Sequence, residues 1–350
     1  MSSSPRLAQL DALRGLAALA VVLFHYTTRY DALFGHTSAP LASVPWGHVG
    51  VNLFFMISGF VIFMTLERTP RPMDFVVSRF SRLYPAYWGA LLLTFALTHA
   101  IGLPGKTVGW ETLLVNVSMV QGVFGVPHVD GVYWTLEVEL LFYAWALLSH
   151  RAGGAHGLRL FLFGCLALRL VYLGFSTFWH IDLPWMGQRW LLLPSIAWFA
   201  LGVAIYRISR AEVLPRRDAG LALAAVLVIA LADGLELAAL AAVFFVLLLG
   251  AARARWTWLA HPVLLWLGAI SYTLYLLHEN IGWAVIRRLE LWGVSANLAI
   301  LAAFVLSLAL AHVLTTWVEQ PAMPWIRRRY GAASVHPHSA PDPVSGAAPR

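Results

Sequence analysis

Apolar segments long enough to cross a bilayer recur along the whole chain, and this pattern restricts the protein to a membrane fold. The first of them, residues 10–26, reads LDALRGLAALAVVLFHY. A helix rises about 1.5 Å per residue, so roughly 17 to 20 apolar residues nearly cross the hydrocarbon core. The composition agrees, since 60% of the residues are hydrophobic, 12% are charged and the mean hydropathy is +0.72. The sequence therefore predicts an all-α, polytopic membrane protein.

About ten transmembrane helices in one bundle are predicted, forming a single domain over residues 1–330. Their expected ranges are 8–26, 48–66, 84–102, 132–149, 158–178, 189–206, 219–232, 236–252, 262–286 and 296–318. The segment 110–126 is interrupted by glycine and polar residues and is interpreted as re-entrant or interfacial. Residues 331–350 are rich in Ala, Ser, Pro, Gly and His, which predicts a disordered cytoplasmic tail.

The basic residues lie mainly in short loops between the predicted spans. Lysine and arginine favour the cytoplasmic side of a membrane, and most of the 24 basic residues become cytoplasmic when the N-terminus is placed there. Both termini are therefore predicted to be cytoplasmic, and the membrane is expected to be a bacterial inner membrane. This topology accounts for the net charge of +7, so no nucleic-acid partner is expected.

Ionisable residues inside the first apolar segment are candidate functional residues. Arg14 and His25 are eleven positions apart, which at about 100° per residue returns to the same helix face, with roughly 16 Å between them along the axis. A charged side chain that faces lipid is costly, so this face is predicted to look into a protein interior or a wet cavity. Asp11 lies one turn before Arg14 and is expected to form an ion pair with it.

Two further ionisable residues are predicted at the depth of His25, namely Glu139 and His278. Glu137 and Glu139 are two residues apart, or roughly 200° around a helix, so both cannot face one cavity. Glu139 is the candidate for a functional carboxylate.

A second group of arginines is predicted on the cytoplasmic side. Arg79 and Arg82 are three positions apart and share a face if their segment is helical. Together with Arg14 they would form a cationic entrance.

A cationic entrance that leads to a buried imidazole suits an acyl thioester on a phosphopantetheine arm. The arginines would hold the phosphates, and the acyl group would reach the depth of the histidine. His25 would then act as general base on an acceptor hydroxyl, with Glu139 either orienting it or stabilising the imidazolium that forms. No GxSxG, HExxH, P-loop or CxxC motif is present and Cys165 is the only cysteine, so no metal site and no permanently bound cofactor are predicted.

Six motifs in order resemble those of the integral-membrane acyltransferase family 3, whose members acylate carbohydrates and other small acceptors. They are residues 10–25, 50–63, 79–88, 133–143, 271–278 and the Glu-x-Pro at 319–321. The resemblance implies that acyl-CoA is taken from the cytoplasmic side and that Arg14 and His25 are essential. Candidate substrate-binding residues in these motifs are Asp11, Asn52, Ser58, Arg79, Arg82, Trp134, Tyr275 and His278.

The predicted function is transfer of an acyl group, in the first place acetyl, to a sugar hydroxyl of a surface or lipid-linked glycan. Arg14, His25 and Glu139 are the predicted catalytic residues, while Ser58 beside Gly59 also suits helix packing. One alternative is a transporter in which the same residues form a proton relay, although no internal repeat supports it. Another is a module that hands the acyl group to a partner protein.

Overall fold

Helices account for the regular structure of this protein. The computed structural model describes residues 5–181 and 183–334, and within these ranges it contains no strand. The helices are α1 (Pro5–Phe24), α2 (Tyr30–Phe34), α3 (Gly50–Arg68), α4 (Pro72–Ile101), α5 (Trp110–Asn116), α6 (Trp134–Trp179), α7 (Trp185–Trp190), α8 (Ile196–Arg210), α9 (Arg216–Ala232), α10 (Leu235–Ala252), α11 (Pro262–Leu277), α12 (Glu279–Leu291), α13 (Ala296–Leu314) and α14 (Gln320–Ser334). The predicted all-helical class is confirmed.

Short helical turns of other types join several of these helices. Segments of 3-10 helix cover Pro45–Val49, Gln121–Phe124, Gly131–Tyr133 and Thr257–Ala260. Two π-helical turns, His25–Arg29 and Thr315–Glu319, follow α1 and α13 without a break. A π-helical turn is rare and often lies at a functional site.

Five helical stretches in the described part of the chain are long and apolar enough to cross a bilayer. They are Ala8–Phe34, Pro45–Arg68, Gly131–Trp179, Leu235–Ala252 and Ala296–Gly331. The helix α11 is apolar but shorter. The total of about ten spans stays a prediction.

Two helix boundaries differ from the predicted ones near prolines. The helix α4 begins at Pro72, so much of the segment predicted as a loop before residue 84 is helical, and proline is well suited to the first helical turn. The predicted span 189–206 is divided, because α7 ends at Trp190 and α8 begins only at Ile196. Pro194 lies in the intervening turn, where Leu192 has a positive φ of 57°.

The predicted span 262–286 bends at His278, between α11 and α12. The Tyr26 hydroxyl donates a hydrogen bond of 2.8 Å to the His278 carbonyl. A side chain at position 282 would overlap the Tyr26 ring, so the glycine there allows Tyr26 to pack against α12. The bend therefore places His278 and Glu279 at a junction between two helices instead of within one continuous helix.

Other spans agree better with their predicted limits. The two arms of α6 separate at Gly153 and Gly154, whose backbone angles are not helical, in line with the predicted spans 132–149 and 158–178. The helix α14 extends to Ser334, beyond the predicted end of the last span at residue 318. The rest of the predicted tail, residues 335–350, lies outside the described residues.

Glycines allow the backbones of the central helices to come into direct contact. A Cβ on Gly15 of α1 would lie 2.6 Å from the Gly268 nitrogen of α11, and one on Gly268 would overlap the Asp11 carbonyl. The helices α3 and α8 meet in the same way, since a Cβ on Gly202 would overlap the Met56 carbonyl. Small residues permit such contacts between membrane helices. The pairing of α1 with α11 brings the segment of His25 next to that of His278.

We expect Gly202→Ala to lower the free energy of unfolding by about 1–3 kcal/mol, because the added methyl group has to displace the backbone of α3. Gly220→Ala is the matched control, since nothing lies within 4 Å of a Cβ at that position in α9. The better helix propensity of alanine should make this control neutral or slightly stabilising. Thermal unfolding of the detergent-purified protein measures both, and equal midpoints for the two variants would contradict the proposed packing.

Candidate active site

A narrow cavity of about 80 Å³ lies between α1, α3, α4, α6 and α11. Its polar walls combine three arginines with one carboxylate and several hydroxyl groups. These polar lining residues are Arg14, Ser58, Arg79, Arg82, Thr135, Glu139, Tyr143, Tyr272 and Tyr275. Apolar side chains such as Phe54, Phe55 and Leu136 complete the wall. The cavity can therefore hold a slender ligand that has both charged and apolar parts.

The three predicted entrance arginines all line this cavity. Because α4 begins at Pro72, Arg79 and Arg82 lie on one helical face and turn toward Arg14 of α1. Arg14 lies 3.9 Å from Asp11, and Arg82 forms an ion pair with the buried Glu319. Glu139 is the one carboxylate among the residues that line the described cavity, so this lining carries more positive than negative charge and favours an anionic group.

Arg79 is the arginine of this group whose charge is least satisfied by the protein. Its Nη2 donates to the neighbouring Ser78 hydroxyl at 3.2 Å. Its Nε is buried and has no hydrogen-bond partner among the described residues. A buried donor without a partner is unfavourable, which makes Arg79 well suited to bind an anion.

The two neighbouring glutamates of α6 have different partners. Glu139 lines the cavity, where its Oε1 accepts hydrogen bonds from Ser58 at 2.7 Å and Tyr143 at 2.6 Å. Glu137 is buried and accepts from the Arg189 Nε at 2.9 Å. Only Glu139 is thus available to a ligand in the cavity, as expected from the rotation between the two positions.

His25 is the first residue of a π-helical turn and lies beyond the cavity wall. Its Nε2 is 3.4 Å from the Glu279 Oε2, and the side chains are only 14% and 6% exposed. The expected pairing of His25 with Glu139 was therefore wrong. Glu139 is held by Ser58 and Tyr143, whereas the bend between α11 and α12 turns Glu279 toward α1.

A second histidine, His278, helps to determine which ring nitrogen of His25 carries the proton. The Nδ1 of His278 lies 2.9 Å from the Tyr275 carbonyl, which only accepts, so this nitrogen carries the proton and its Nε2 has a free lone pair. That lone pair faces the Nδ1 of His25 at 3.2 Å, and the Val21 carbonyl faces the same nitrogen at 2.9 Å. The Nδ1 of His25 therefore carries a proton, and in the neutral ring Nε2 is the basic nitrogen.

Tyr275 connects the cavity with the histidine pair. Its hydroxyl lies 3.0 Å from the Thr135 hydroxyl at the cavity wall, and the centre of its ring is 5.7 Å from that of His278. Arg14 and His25 on one side, and Tyr275 and His278 on the other, thus lead from the cavity to the histidine pair along α1 and α11. Most of the predicted site residues line the cavity or belong to the histidine pair.

Four predicted substrate contacts lie outside the cavity lining: Asp11 beside Arg14, His278 beside His25, and Asn52 and Trp134. Asn52 is half-buried in the first turn of α3, and Trp134 is 45% exposed at the start of α6, where it packs against Phe55. Neither residue touches the described cavity.

Several polar residues at and near the start of α12 were not predicted as site residues from the sequence. Asp130 is fully buried before α6 and accepts hydrogen bonds from the backbone N–H groups of Val132 and Asn280. Burial raises the pKa of Asp130 to about 7, and burial also lowers the pKa of the nearby loop residue His128. Glu279 could have been noticed, because it directly follows His278 in an apolar segment.

The comparison with known proteins identifies the family. The model of the acyltransferase 3 family, described as an acyltransferase domain, matches residues 7–316. The chain belongs to this family. It is accordingly an integral membrane protein and an acyltransferase enzyme.

Three curated relatives illustrate how far the acyltransferase similarity extends. Acyltransferase MdmB of Streptomyces mycarofaciens is 28% identical over 99% of this chain and 97% of its own length. Exopolysaccharide production protein ExoZ of Rhizobium meliloti is 33% identical over 28% of this chain and 32% of its own length. Protein 2 in the picA locus of Rhizobium radiobacter is 38% identical over 43% of this chain and 80% of its own length. No solved structure matches the chain.

Glu137→Gln should destabilise the acyltransferase by about 1–3 kcal/mol, because the charge-assisted hydrogen bonds to Arg189 are lost in a buried position. Glu139→Gln, only two residues away, should destabilise less than Glu137→Gln, since its amide oxygen still accepts from Ser58 and Tyr143, and Arg14 and Arg82 keep Asp11 and Glu319 as partners. Denaturant or thermal unfolding in detergent compares the two. Greater destabilisation by the Glu139 variant would contradict the assigned partners.

Proposed function

We propose that the protein transfers a short acyl group, in the first place acetyl, from cytoplasmic acyl-CoA to a sugar hydroxyl of a surface or lipid-linked glycan. The observation that carries this proposal is the single line from the arginine-lined cavity through Tyr275 to His25 and His278. The family membership supports acyl transfer, and the name of ExoZ, an exopolysaccharide production protein, supports a carbohydrate acceptor.

The donor is proposed to enter at the arginines. Guanidinium groups bind phosphate through paired, charge-assisted hydrogen bonds, and Arg14, Arg79 and Arg82 provide three of them. The thioester end of the phosphopantetheine arm then extends toward His25, which lies roughly 16 Å along α1 from Arg14.

His25 is proposed to act as the general base. Its Nε2 takes the proton from the acceptor hydroxyl, while the hydroxyl oxygen attacks the thioester carbonyl carbon. The carbon–sulfur bond then breaks, and CoA leaves as a thiolate that takes the proton from the imidazolium of His25. Glu279, 3.4 Å from Nε2, stabilises this imidazolium, and His278 keeps the ring in the required tautomer.

Glu139 is proposed to act on the donor side. It faces the same space as the three arginines, so its charge limits their repulsion and helps to orient them before the donor binds. Its hydrogen bonds to Ser58 and Tyr143 hold it in place. This role replaces the orientation of His25 that the sequence had suggested for it.

The orientation of the protein is proposed from its charge distribution. The Arg14 end of the bundle carries most of the basic residues and faces the cytoplasm, as the positive-inside rule favours. The His25 end then faces outward, and both termini are cytoplasmic in a bacterial inner membrane. In this orientation a cytoplasmic donor meets an acceptor on the outer side, with the reaction inside the protein.

His25→Asn should reduce acyl transfer by at least about a hundredfold, because the general base is lost. The measurement uses detergent-purified protein, radiolabelled acetyl-CoA and a panel of sugars and glycolipids, with thermal unfolding as a test of folding. His99→Asn is the matched control, an exposed histidine at the end of α4 whose Nδ1 bonds only to the Phe95 carbonyl.

Two outcomes of this experiment would contradict the proposal. Full activity of a folded His25→Asn variant would exclude His25 as the base. Absence of turnover in the wild type with several acyl donors would exclude the acyl-CoA donor. Release of CoA without a labelled sugar would instead indicate an acyl-accepting partner protein.

Arg79→Gln should raise the KM for acetyl-CoA by about tenfold, equivalent to about 1.4 kcal/mol of lost binding, with a smaller effect on the acceptor. Arg151→Gln is the control, because Arg151 is exposed at the end of the first arm of α6 and does not line the cavity. Initial rates at varied acetyl-CoA concentration give both values. An unchanged KM in the Arg79 variant would argue against phosphate binding at this position.

A further inference from the structure

Four basic side chains gather at the His25 end of the bundle, and we call them the distal basic patch: Arg29, Lys106, Arg287 and Arg288. Two of them lie over aromatic rings. The Nζ of Lys106 is 5.1 Å from the centre of the Trp283 ring, and the guanidinium of Arg287 is 5.6 Å from that of Phe34. These two rings contact each other at 5.8 Å, so they form one support for both cations.

The distal basic patch contains no direct ion pair in the described part of the chain, although Glu279 lies within electrostatic reach of Lys106 and Arg29. Within residues 5–181 and 183–334, none of the four side chains forms an ion pair with a carboxylate. Arg189 contrasts with them, since it is paired with the buried Glu137. The positive-inside rule disfavours basic residues on the outer side, where the proposed orientation places this patch. Unpaired cations concentrated there call for an anionic ligand.

The distal basic patch is directly connected to the reacting histidine. The Nε1 of Trp283 donates a hydrogen bond of 2.9 Å to the His25 carbonyl. The Trp283 side chain therefore contacts both His25 and Lys106. Lys106 and Arg29 are also close enough to interact electrostatically with both His25 and Glu279. An anion bound between them would place its neighbouring groups near the His25 ring.

The surface beside the patch has room for a sugar-sized group. An open depression of about 440 Å³ is lined by Arg287 and Arg288 and by the chain that follows α4, including Gly102, Pro104 and Thr107. Arg288 is fixed there by a hydrogen bond to the Ile101 carbonyl. The depression therefore combines fixed positive charge with space.

We propose that the distal basic patch binds an anionic group, a phosphate or a carboxylate, carried by the sugar acceptor, and thereby directs the acceptor hydroxyl to His25. This inference rests on the proposed function. An anionic lipid headgroup has the same chemistry. We favour the acceptor because Lys106 is half-buried over Trp283, which is only 1% exposed and donates to the His25 carbonyl, so an anion held by Lys106 lies close to the reacting histidine.

The test exploits Lys106, which is the only lysine of the chain. An amine-reactive ester labels it, and peptide mass spectrometry separates this label from that on the N-terminal amine. Glucose 1-phosphate should slow the labelling of Lys106 about tenfold at roughly ten times its Kd, because the occupied fraction of protein is protected. Methyl glucoside, which has no charge, should give little protection. Equal labelling rates with and without glucose 1-phosphate would overturn the proposal.

Two variants locate the effect within the molecule. Arg287→Gln should lose most of the protection by glucose 1-phosphate while Lys106 is still labelled normally without ligand. Arg151→Gln removes one positive charge away from the patch and should keep the full protection. Equal loss of protection in both variants would show a general effect of charge and would contradict a defined site.

Lipid nanodiscs separate the two sources of the anion. If phosphatidylglycerol alone protects Lys106 relative to phosphatidylcholine, and glucose 1-phosphate adds nothing, the patch is a lipid site and the proposal is overturned. The labelling requires no acyl-CoA, so it also stands apart from the proposed function. Protection of Lys106 without any acyl transfer would support the anion site and contradict the proposed reaction. Acyl transfer to neutral sugars without protection of Lys106 would support the proposed reaction and contradict the anion site.

Discussion

The close contact of α1 with α11 is the interaction on which the rest of the site depends. Gly15 and Gly268 let the two backbones touch, so the helix with Arg14 and His25 lies against the helix that ends at His278. A larger residue at either glycine would separate the histidines, whose ring nitrogens are 3.2 Å apart. The tautomer of His25, and thus the nitrogen that can act as base, follows from helix packing at a point more than two turns away.

Irregular helix geometry marks both ends of the site. The π-helical turn His25–Arg29 carries the proposed base, and the turn Thr315–Glu319 ends at the carboxylate that pairs with Arg82. Each π-helical turn rotates the side chains that follow it relative to a regular helix. The bend at His278 has a similar effect on Glu279. These three interruptions of regular helix geometry turn polar side chains toward the site. In an uninterrupted helix the same side chains would point in other directions.

The helical class was predictable because apolar segments bounded by turn residues are a strong signal, and α10 matches its predicted range within one residue. The cationic cluster was also predictable, since Arg79 and Arg82 share a face of any helix. The carboxylate beside His25 was not. Depth in the membrane made Glu139 a candidate, but rotation about the helix axis and the contact of Tyr26 with the His278 carbonyl place Glu279 there. Such tertiary contacts leave no periodic trace in the sequence.

Because Arg14 and His25 belong to one continuous helix, the separation between the two ends of the site is set by the backbone. The helix α1 runs without interruption to Phe24, so this separation does not adjust to the ligand. In the proposed reaction, α1 then acts as a molecular ruler. It selects acyl donors by the length of their carrier arm, and a compact donor such as acetyl phosphate, bound at the arginines, would hold its acyl group far short of the imidazole.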